Sequence, residues 1–462
     1  MKSIAIIGAG ITGLTTAFCL KRRGIPVTVY ESGPRAGGVI ESTRRDGFLA
    51  EHGPNAALET SPKVTELIKW AGLESRRLAT APEAEARYVV RDRRPVAMPG
   101  SPLGFLTTPL FSLGAKLAVL REPFIKPRRD GVEESIAQFV QRRFNQEMLD
   151  HAIDALVAGV YAGDPYQLSL PHAFPKLKAL EDNYGSMIKG QILGAKARKK
   201  SGEVAKDRAP KFSFDEGLQV LTDGLARQLG EELRLNTAVS ALTKSGDQWL
   251  VETSAGRSEH SAVIYCGTAF GLAQLQIEAD PPGRIPVDLF SEIKYPPVAS
   301  VVLGFRREDV THPCLGFGML IPKIEGFKIL GTIFSSALFP NRAPAGCLCL
   351  TSYIGGTRYP ALASLPADPL IDLTMADLRV LLGIKGNPIF SQVVSYPRAI
   401  PQYNVGYGKY RDRLTEIEAQ APGLYFAGQY RDGVSLADSM VSGINIAERL
   451  VKKLKPEQPA IA

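Results

Sequence analysis

Three glycines near the N-terminus carry the clearest chemical signal in the sequence. Gly8, Gly10 and Gly13 follow the G-x-G-x-x-G pattern, and Glu31 comes about 20 residues later. Gly8 permits a tight turn, Gly10 lets the backbone approach a pyrophosphate, and Gly13 lets a helix pack against the strands. The Glu31 carboxylate is placed to accept hydrogen bonds from ribose hydroxyls. These residue types and their spacing predict a dinucleotide site.

The segments around the glycines predict the elements that would position them. Residues 4–7 form a short apolar run typical of a buried strand, a helix follows over residues 12–23, and residues 27–30 predict a second strand. A helix that begins at a glycine turn offers unpaired N–H groups and the positive end of its dipole to phosphates. The sequence therefore predicts an α/β fold with a Rossmann-type nucleotide-binding domain.

The residues directly after the acid narrow the ligand. Arg35, Gly37 and Gly38, in the segment ESGPRAGG, bring a charge and a second backbone loop toward a diphosphate. The alternative is that Arg35 is a solvated loop charge and that the two glycines form an ordinary turn. This extension resembles the flavoprotein amine oxidase superfamily, in which the ligand is FAD rather than NAD.

The composition is that of a large globular enzyme. The chain has 462 residues, of which 45% are hydrophobic and 22% charged, so we expect two or three domains and no long disordered segment. The net charge is +8, but no nucleic-acid motif accompanies it, and we expect no nucleic-acid partner. The densest basic cluster, Lys196, Arg198, Lys199 and Lys200, predicts a surface loop, with contact to an anionic membrane as the alternative.

Cysteines, histidines and apolar runs suggest a reducing, cytoplasmic setting. The five cysteines form no C-x-x-C pair, and the five histidines show no metal-ligand spacing. The chain begins directly with the first predicted strand, which predicts a protein without a signal peptide. The longest uncharged stretch, residues 95–115, contains four prolines. It therefore predicts no membrane-spanning helix, although it could rest on a membrane surface.

Changes of pattern along the chain predict three regions. A discontinuous FAD-binding domain would comprise residues 1–85, 211–285 and 401–462. Residues 86–210 predict an inserted, mainly helical domain that faces the membrane and the substrate. Residues 286–400 predict a mixed-sheet substrate domain over a ligand cavity.

Four local patterns predict further elements, and the first and last of them would lie near a ligand. Residues 53–55 predict a turn that places backbone N–H groups against a flavin, or else an ordinary connection. Residues 87–96 predict a hairpin, and residues 233–242 predict one strand. A loop over residues 428–435 leads to a helix over residues 438–450, whose N-terminal dipole would favour the negative charge of a reduced flavin. The alternative for this last segment is a plain C-terminal βα unit.

Longer motifs make essentially the whole chain resemble the protoporphyrinogen oxidases of the FAD-dependent, oxygen-using type. The motif GVYAGDPYQLS, which begins at Gly159, is much more specific than the glycine fingerprint. Related coproporphyrinogen III oxidases share most of the motifs. The other motifs are GAGITGL, ESGPRAGG, EHGPNA, FSFDEGLQVL, LGFGMLIP, IPQYNVGY and GLYFAGQYRDGVSLADSMVSG.

The resemblance implies a reaction and its setting. Protoporphyrinogen IX would be oxidised to protoporphyrin IX in porphyrin and haem biosynthesis, with oxygen as electron acceptor. A hydride would pass to N5 of the flavin, and no side chain is predicted to be catalytic. No cysteine lies beyond Cys349, so FAD would be bound without a covalent link near the C-terminus. Peripheral contact with the inner face of the membrane and a homodimer are further family expectations.

The resemblance also assigns site residues one by one. In the cofactor site, Val239 would meet the adenine through its backbone. The predicted FAD contacts are Gly8, Gly10, Ile11, Thr12, Gly13, Glu31, Ser32, Arg35, Gly37, Gly38, Val39, Gly53, Pro54, Asn55, Ala56, Val239, Gln429, Val434, Ser435 and Leu436. The predicted substrate pocket consists of Arg87, Gly159, Ala162, Phe317, Leu320, Tyr353 and Ile400.

Two of the pocket residues have alternative interpretations. The Arg87 guanidinium suits a propionate carboxylate, or else it is a surface charge at a strand end. Phe317 could stack on a pyrrole ring or fill the core. Its position between Gly316 and Gly318 suggests a closely approached backbone and favours ligand contact.

Two departures from the superfamily pattern affect the cofactor site. Gln429 stands where many of these oxidases have an acid, which weakens a contact to the ribitol or diphosphate. Cys266-Gly267-Thr268 replaces a common Ala-x-Pro turn, and this makes the backbone path less predictable.

Three other functions stay open on the sequence alone. The substrate could be coproporphyrinogen III, which differs from protoporphyrinogen IX only in side chains. The chain could be an amine oxidase or a carotenoid desaturase, although a carotenoid needs no carboxylate anchor such as Arg87. It could also be a flavin-binding protein that carries a tetrapyrrole without turnover, and reduction of its flavin by porphyrinogen would separate such a carrier from the oxidase.

Overall fold

A computed structural model describes residues 3–194, 209–279, 281 and 283–454. The strands, numbered along the chain, are β1 (Ile4–Ile7), β2 (Val27–Tyr30), β3 (Ser42–Arg45), β4 (Phe48–Glu51), β5 (Ala57–Leu58), β6 (Arg77–Ala79), β7 (Arg87–Arg91), β8 (Arg94–Ala97), β9 (Lys211–Phe214), β10 (Leu233–Arg234), β11 (Val239–Ser245), β12 (Gln248–Thr253), β13 (Gly256–His260), β14 (Ala262–Tyr265), β15 (Gln276–Ala279), β16 (Gly283–Arg284), β17 (Val298–Arg306), β18 (Gly318–Leu320), β19 (Ile329–Ile333), β20 (Cys347–Gly355), β21 (Phe390–Tyr396) and β22 (Leu424–Phe426).

The α-helices of the described residues are numbered in the same way. They are α1 (Ile11–Lys21), α2 (Pro62–Trp70), α3 (Pro102–Thr107), α4 (Leu113–Arg121), α5 (Ile136–Arg143), α6 (Gln146–Met148), α7 (Asp154–Tyr161), α8 (Leu170–Ala173), α9 (Pro175–Tyr184), α10 (Met187–Leu193), α11 (Gln219–Leu229), α12 (Ala269–Leu272), α13 (Ser335–Leu338), α14 (Ala367–Leu382), α15 (Gly408–Gln420), α16 (Gln429–Asp432) and α17 (Leu436–Leu454).

A five-stranded parallel sheet forms the centre of the nucleotide-binding part. Its strand order is β10-β2-β1-β14-β22, and Ile4 of β1 pairs with Val27 on one side and Ala262 on the other. All residues of β1, β2 and β14 are buried, as expected for strands of a parallel sheet covered on both faces. The α/β fold and the strands predicted at residues 4–7 and 27–30 are confirmed.

The predicted single strand over residues 233–242 is wrong. Leu233 and Arg234 form β10, which pairs with β2 in the parallel sheet, whereas β11 begins at Val239 and pairs with β12 in a second sheet. Asn236 lies between them with φ of +50° and turns the chain. The apolar spacing of the run continues across this turn, so the pattern alone could not locate the change of sheet.

A seven-stranded sheet, of order β21-β17-β20-β19-β18-β7-β8, forms the second large layer. The predicted hairpin is present as β7 and β8, and β7 pairs in parallel with β18, with Arg87 opposite Gly318. This pairing joins the hairpin to the sheet region rather than to the helical region, so the predicted boundary at residue 86 is wrong in this respect. The pairing partner of a hairpin lies far away in sequence and leaves no local signal.

The helical region contains α3 to α10 and encloses a buried cluster of charges. The Arg143 guanidinium lies 2.9 Å from the carboxylates of both Glu122 and Glu181, and all three side chains are inaccessible to solvent. A buried arginine needs such partners, and these contacts tie α5 to α9 and to the segment after α4. The basic cluster predicted at residues 196–200 lies outside the described residues.

Candidate active site

The glycine turn after β1 has the geometry that its sequence predicts. Gly8 has φ of +98°, and its N–H donates to the Tyr30 carbonyl at 2.8 Å. A Cβ at Gly13 would lie 1.9 Å from the Gly8 carbonyl oxygen, so only glycine lets α1 pack on the turn. A Cβ at Gly10 would meet no described atom within 4 Å. Gly10 therefore borders open space at the N-terminus of α1.

A second loop lines the same open space. The Gly37 N–H donates to the Ala9 carbonyl at 2.8 Å, and a Cβ at Gly38 would lie 3.4 Å from the Gly10 Cα. Arg35 braces this loop by donating to the Gly38 carbonyl at 2.6 Å and the Ile40 carbonyl at 3.0 Å. Arg35 is therefore more than a solvated loop charge. Its contact with FAD stays a prediction.

Glu31 contacts both the glycine turn and the segment that leads to Val239, the residue predicted to meet the adenine. Its carboxylate accepts the N–H groups of Ala9 and Gly33, each at 2.8 Å. The Ser32 hydroxyl also donates to this carboxylate at 3.2 Å. A carboxylate has about four acceptor positions, so one position stays open to a ribose hydroxyl. The Thr237 N–H donates to the Glu31 carbonyl at 2.7 Å, which brings the start of β11, and with it Val239, toward the same side.

The first turns of α1 and α17 lie side by side. The Thr12 hydroxyl donates to the Ser439 carbonyl at 3.2 Å, and a Cβ at Gly443 would lie 2.6 Å from the Thr12 carbonyl oxygen. Two helix N-termini thus meet beside the open space at Gly10. Their combined dipoles favour a bound anion, so these residues fit the diphosphate of FAD.

The loop before α17 is closed by its own side chains. The predicted loop contains the short helix α16, and Gln429 Nε2 donates to the Val434 carbonyl at 3.3 Å. A carboxylate at position 429 could not donate this bond, which gives a physical reason for the glutamine. The Ser435 N–H donates to the Asp438 carboxylate at 3.2 Å, and the Asp438 N–H donates to the Ser435 hydroxyl at 3.1 Å. This reciprocal pair fixes the start of α17.

Cys266 lies behind the glycine turn rather than in the open space. Its N–H donates to the Ile7 carbonyl at 2.8 Å, and a Cβ at Gly8 would lie 3.3 Å from the Cys266 carbonyl carbon. Burial raises the pKa of the Cys266 thiol to about 12. Cys266 therefore acts as a small neutral core residue, and the Cys-Gly-Thr segment continues β14 past the turn.

The turn at residues 53–56 contacts the predicted substrate region directly. Asn55 Nδ2 donates to the Tyr353 hydroxyl at 2.7 Å, and that hydroxyl donates to the Gly53 carbonyl at 3.2 Å. Gly53 also packs on Val39, since a Cβ at Gly53 would lie 2.5 Å from the Val39 carbonyl oxygen. Burial raises the pKa of Tyr353 above its ordinary value, so the phenol stays protonated and keeps both bonds.

Four predicted pocket residues meet in a substrate wall, a name we use for Gly159, Ala162, Leu320 and Tyr353. A Cβ at Gly159 would lie 2.5 Å from Leu320 Cδ2. Ala162 ends α7 with φ of +48° and packs in one apolar cluster with Tyr353. The Ile400 carbonyl accepts a bond from Gln402 Nε2 at 3.0 Å.

The glycines beside Phe317 have a structural explanation. A Cβ at Gly316 would lie 2.5 Å from the Ala86 carbonyl oxygen, and a Cβ at Gly318 would lie 2.2 Å from the Thr332 carbonyl oxygen. Neighbouring backbone therefore requires both glycines, and they give no support to ligand contact by Phe317. The ring packs in a small cluster that includes Ala56, and its role in substrate binding stays a prediction.

No local sequence pattern predicted the ion pair that attaches α7 to the sheet. Arg358 Nη2 donates to the Asp154 carboxylate at 2.6 Å, and Nη1 donates to the Ile321 carbonyl at 2.7 Å. The Lys323 N–H donates to the same carboxylate at 2.7 Å. Burial raises the pKa of Asp154 and lowers that of Arg358, so loss of hydration outweighs the attraction of the pair. The pair's clearest contribution is to fix α7 against β18.

The chain matches known proteins over nearly its whole length. A family model for flavin containing amine oxidoreductases matches residues 11–451. The mitochondrial protoporphyrinogen oxidase of Nicotiana tabacum is 35% identical, and the alignment covers 98% of this chain and 95% of the relative. The coproporphyrinogen III oxidase of Bacillus subtilis is 29% identical, with 96% of each chain covered.

The fold is shared with a crystal structure of a protein from Exiguobacterium. The TM-score is 0.80 at 22% identity, and 98% of this chain and 99% of that one are covered. The family match and the anion-binding geometry beside Gly10 agree on the cofactor, which is FAD, and on an oxidoreductase. The chain belongs to the flavin-containing amine oxidoreductases and, within them, to the protoporphyrinogen oxidase family.

Proposed function

We propose that this protein oxidises protoporphyrinogen IX to protoporphyrin IX, with oxygen as the terminal electron acceptor, in porphyrin biosynthesis. The contact between Asn55 and Tyr353 carries the proposal, because it joins the predicted flavin turn to the predicted substrate wall. The 35% identical relative from Nicotiana tabacum is named for this activity. A tetrapyrrole bound against the wall would lie beside the cofactor.

The chain's own residues would bind and orient the substrate. Gly159 lets Leu320 pack closely against α7, and Leu320 and Tyr353 would offer apolar surface to a pyrrole ring. Arg87, at the start of β7, would hold a propionate through a forked, charge-assisted pair of hydrogen bonds. When bound, FAD accepts the electrons and passes them to oxygen.

Coproporphyrinogen III is the second candidate substrate. The Lys211 ammonium lies 5.6 Å from the centre of the Phe317 ring, which adds a second cation near the predicted pocket. Coproporphyrinogen III has two more propionates than protoporphyrinogen IX, so an additional cation favours it. The 29% identical relative from Bacillus subtilis is named for that reaction.

The test is oxygen-dependent porphyrin fluorescence from the purified, FAD-loaded protein. Protoporphyrinogen IX and coproporphyrinogen III are offered separately, and we expect the larger kcat/KM with the first. A preference for coproporphyrinogen III would select the second candidate. A flavin-loaded protein that oxidises neither substrate would contradict both.

Replacement of Arg87 tests the proposed carboxylate anchor. We expect Arg87→Ala to raise KM for porphyrinogen about thirtyfold, the equivalent of about 2 kcal/mol for a lost charged hydrogen bond. Bound FAD should not change. The matched control is Arg94→Ala, since Arg94 is exposed on the next strand of the same hairpin. Equal KM values for the two variants would remove Arg87 from the pocket.

We also propose that the α3–α4 segment contacts a membrane surface. Among the described residues, no helix has the length and apolar character needed to cross a bilayer. However, Leu103 in α3, Leu113 in α4 and Phe124 just after α4 are 72%, 77% and 84% exposed, and exposed apolar side chains on short helices suit contact with a membrane surface. Flotation with anionic vesicles tests this, and the double variant Leu113→Glu/Phe124→Glu should remain unbound where the parent protein floats.

The homodimer stays a prediction that analytical ultracentrifugation of the FAD-loaded protein checks.

A further inference from the structure

Two buried tyrosines hold the loop that leads into α17. The Tyr403 hydroxyl donates to the Gln429 carbonyl, and the Tyr407 hydroxyl donates to the Tyr430 carbonyl at 2.7 Å. Both side chains are 1% exposed. Burial raises the pKa of both phenols above the ordinary value, so both hydroxyls stay protonated and act as donors.

The segment that contains Gln402 and Tyr403 also contacts the C-terminal end of α7. Gln402 Nε2 donates to the Tyr161 carbonyl at 2.8 Å, and the rings of Tyr403 and Tyr161 lie 6.0 Å apart. The Ser169 N–H donates to the Tyr403 carbonyl at 2.8 Å. Tyr161 directly precedes Ala162 of the substrate wall. Tyr403 therefore contacts, with one side chain, both the wall side and the loop side of the site.

We propose that Tyr403 is a positioning residue that fixes the Gln429 loop relative to the substrate wall, and thereby the flavin relative to the porphyrinogen. The substrate half of this proposal rests on the proposed function. Reaction rates depend steeply on the placement of the reacting groups. A hydrogen bond from a buried side chain to a loop carbonyl is a direct way to fix that placement.

Removal of the hydroxyl separates positioning from packing. Tyr403→Phe keeps the ring against Tyr161 but leaves the half-buried Gln429 carbonyl without its donor, an unfavourable state that the loop can escape by shifting. Such a shift would change the environment of bound flavin and the rate of its reduction. Substrate affinity would change less, because the substrate wall keeps its contacts.

Tyr410 supplies the matched control. Its ring lies 5.1 Å from the Tyr407 ring, but its hydroxyl bonds to the Glu292 carboxylate at 3.3 Å, away from the loop. In Tyr403→Phe we expect a changed visible circular dichroism spectrum of bound FAD, a kcat about tenfold lower and a KM within about threefold of the parent. In Tyr410→Phe all three should match the parent protein.

Parent-like flavin dichroism together with parent-like kcat in Tyr403→Phe would overturn the proposal. If that variant does not fold, Tyr407→Phe removes the parallel bond to the Tyr430 carbonyl and is judged by the same spectrum and the same kcat. The dichroism of bound FAD does not depend on the substrate. A parent protein that fails to oxidise porphyrinogen would therefore contradict the proposed function, while the spectrum still decides whether Tyr403 positions the flavin loop.

Discussion

The nucleotide cradle and the substrate wall are built in different ways. The cradle, residues 4–38, is one continuous segment, and backbone hydrogen bonds and closely packed glycines shape its turns. The wall combines residues from α7, β18 and β20, which are attached to each other by side chains such as Arg358. In the proposed site, backbone geometry would position the cofactor, and long-range side-chain contacts would position the substrate. Substitutions in the cradle should remove FAD, whereas substitutions around the wall should lower turnover in a protein that keeps its FAD.

Gly13→Ala should produce the largest effect. Its Cβ would lie 1.9 Å from the Gly8 carbonyl oxygen, so α1 and the turn must separate, which costs about 3 kcal/mol. We expect a less stable protein that purifies without yellow flavin, as measured by visible absorbance and thermal unfolding.

Gly10→Ala sharpens this result, because its Cβ meets no described atom within 4 Å. The cofactor-free variant should be as stable as the cofactor-free parent protein. The Kd for FAD should rise about a hundredfold, which is a loss of about 3 kcal/mol of binding free energy. Tight FAD binding by Gly10→Ala would contradict the placement of the diphosphate beside Gly10.

Asp154→Asn tests the attachment of the wall. The variant leaves Arg358 buried without its carboxylate, which should lower the free energy of unfolding by about 3 kcal/mol. Turnover should fall in the folded protein while FAD stays bound, as shown by flavin absorbance and kcat. The double variant Asp154→Leu/Arg358→Met should recover stability, because buried pairs are replaceable by apolar contacts. If this double variant also recovers full turnover, the ion pair has no positioning role.

His260 should make the cradle sensitive to acid. It is buried and bonded to the hydroxyls of Ser3 and Tyr30, each at 2.9 Å, and burial lowers its pKa from 6.5 to about 4. The unfolded chain therefore takes up the proton first, and stability is lost as pH falls from about 6.5 to about 4. The loss should be on the order of 3 kcal/mol.

Urea unfolding across that pH range measures the effect. His260→Gln should be less stable near neutral pH and show a shallower fall in acid. An identical pH dependence in the two proteins would show that His260 does not control it.

Tyr353→Phe should have the smallest effect. It removes one donor to the Gly53 carbonyl and one acceptor for Asn55, which should cost about 1 kcal/mol. This contact joins the predicted flavin turn at residues 53–56 to the substrate wall. We therefore expect modest losses in both FAD affinity and kcat, measured by flavin titration and steady-state kinetics. A change confined to one of the two would place Tyr353 in one region only.

The cradle was predictable because its signals are local. The glycine spacing, Glu31 and the flanking apolar runs all fall within residues 4–38, and the structure has the strands and turn there. Turns and pairings that depend on distant segments were not predictable. Asn236 splits an apolar run between two sheets, and β7 pairs with a strand more than 200 residues away along the chain. The Arg358–Asp154 pair likewise depends on complementarity between distant residues.

Anaerobic mixing of the FAD-loaded protein with protoporphyrinogen IX tests the central claim most directly. Oxidation to the porphyrin removes six electrons and one flavin accepts two. The proposal therefore predicts rapid loss of the visible flavin absorbance without oxygen, and recovery of the flavin band with the appearance of porphyrin absorbance once oxygen is admitted. A flavin that stays oxidised with protoporphyrinogen IX and with coproporphyrinogen III, yet is bleached by an amine, would contradict it.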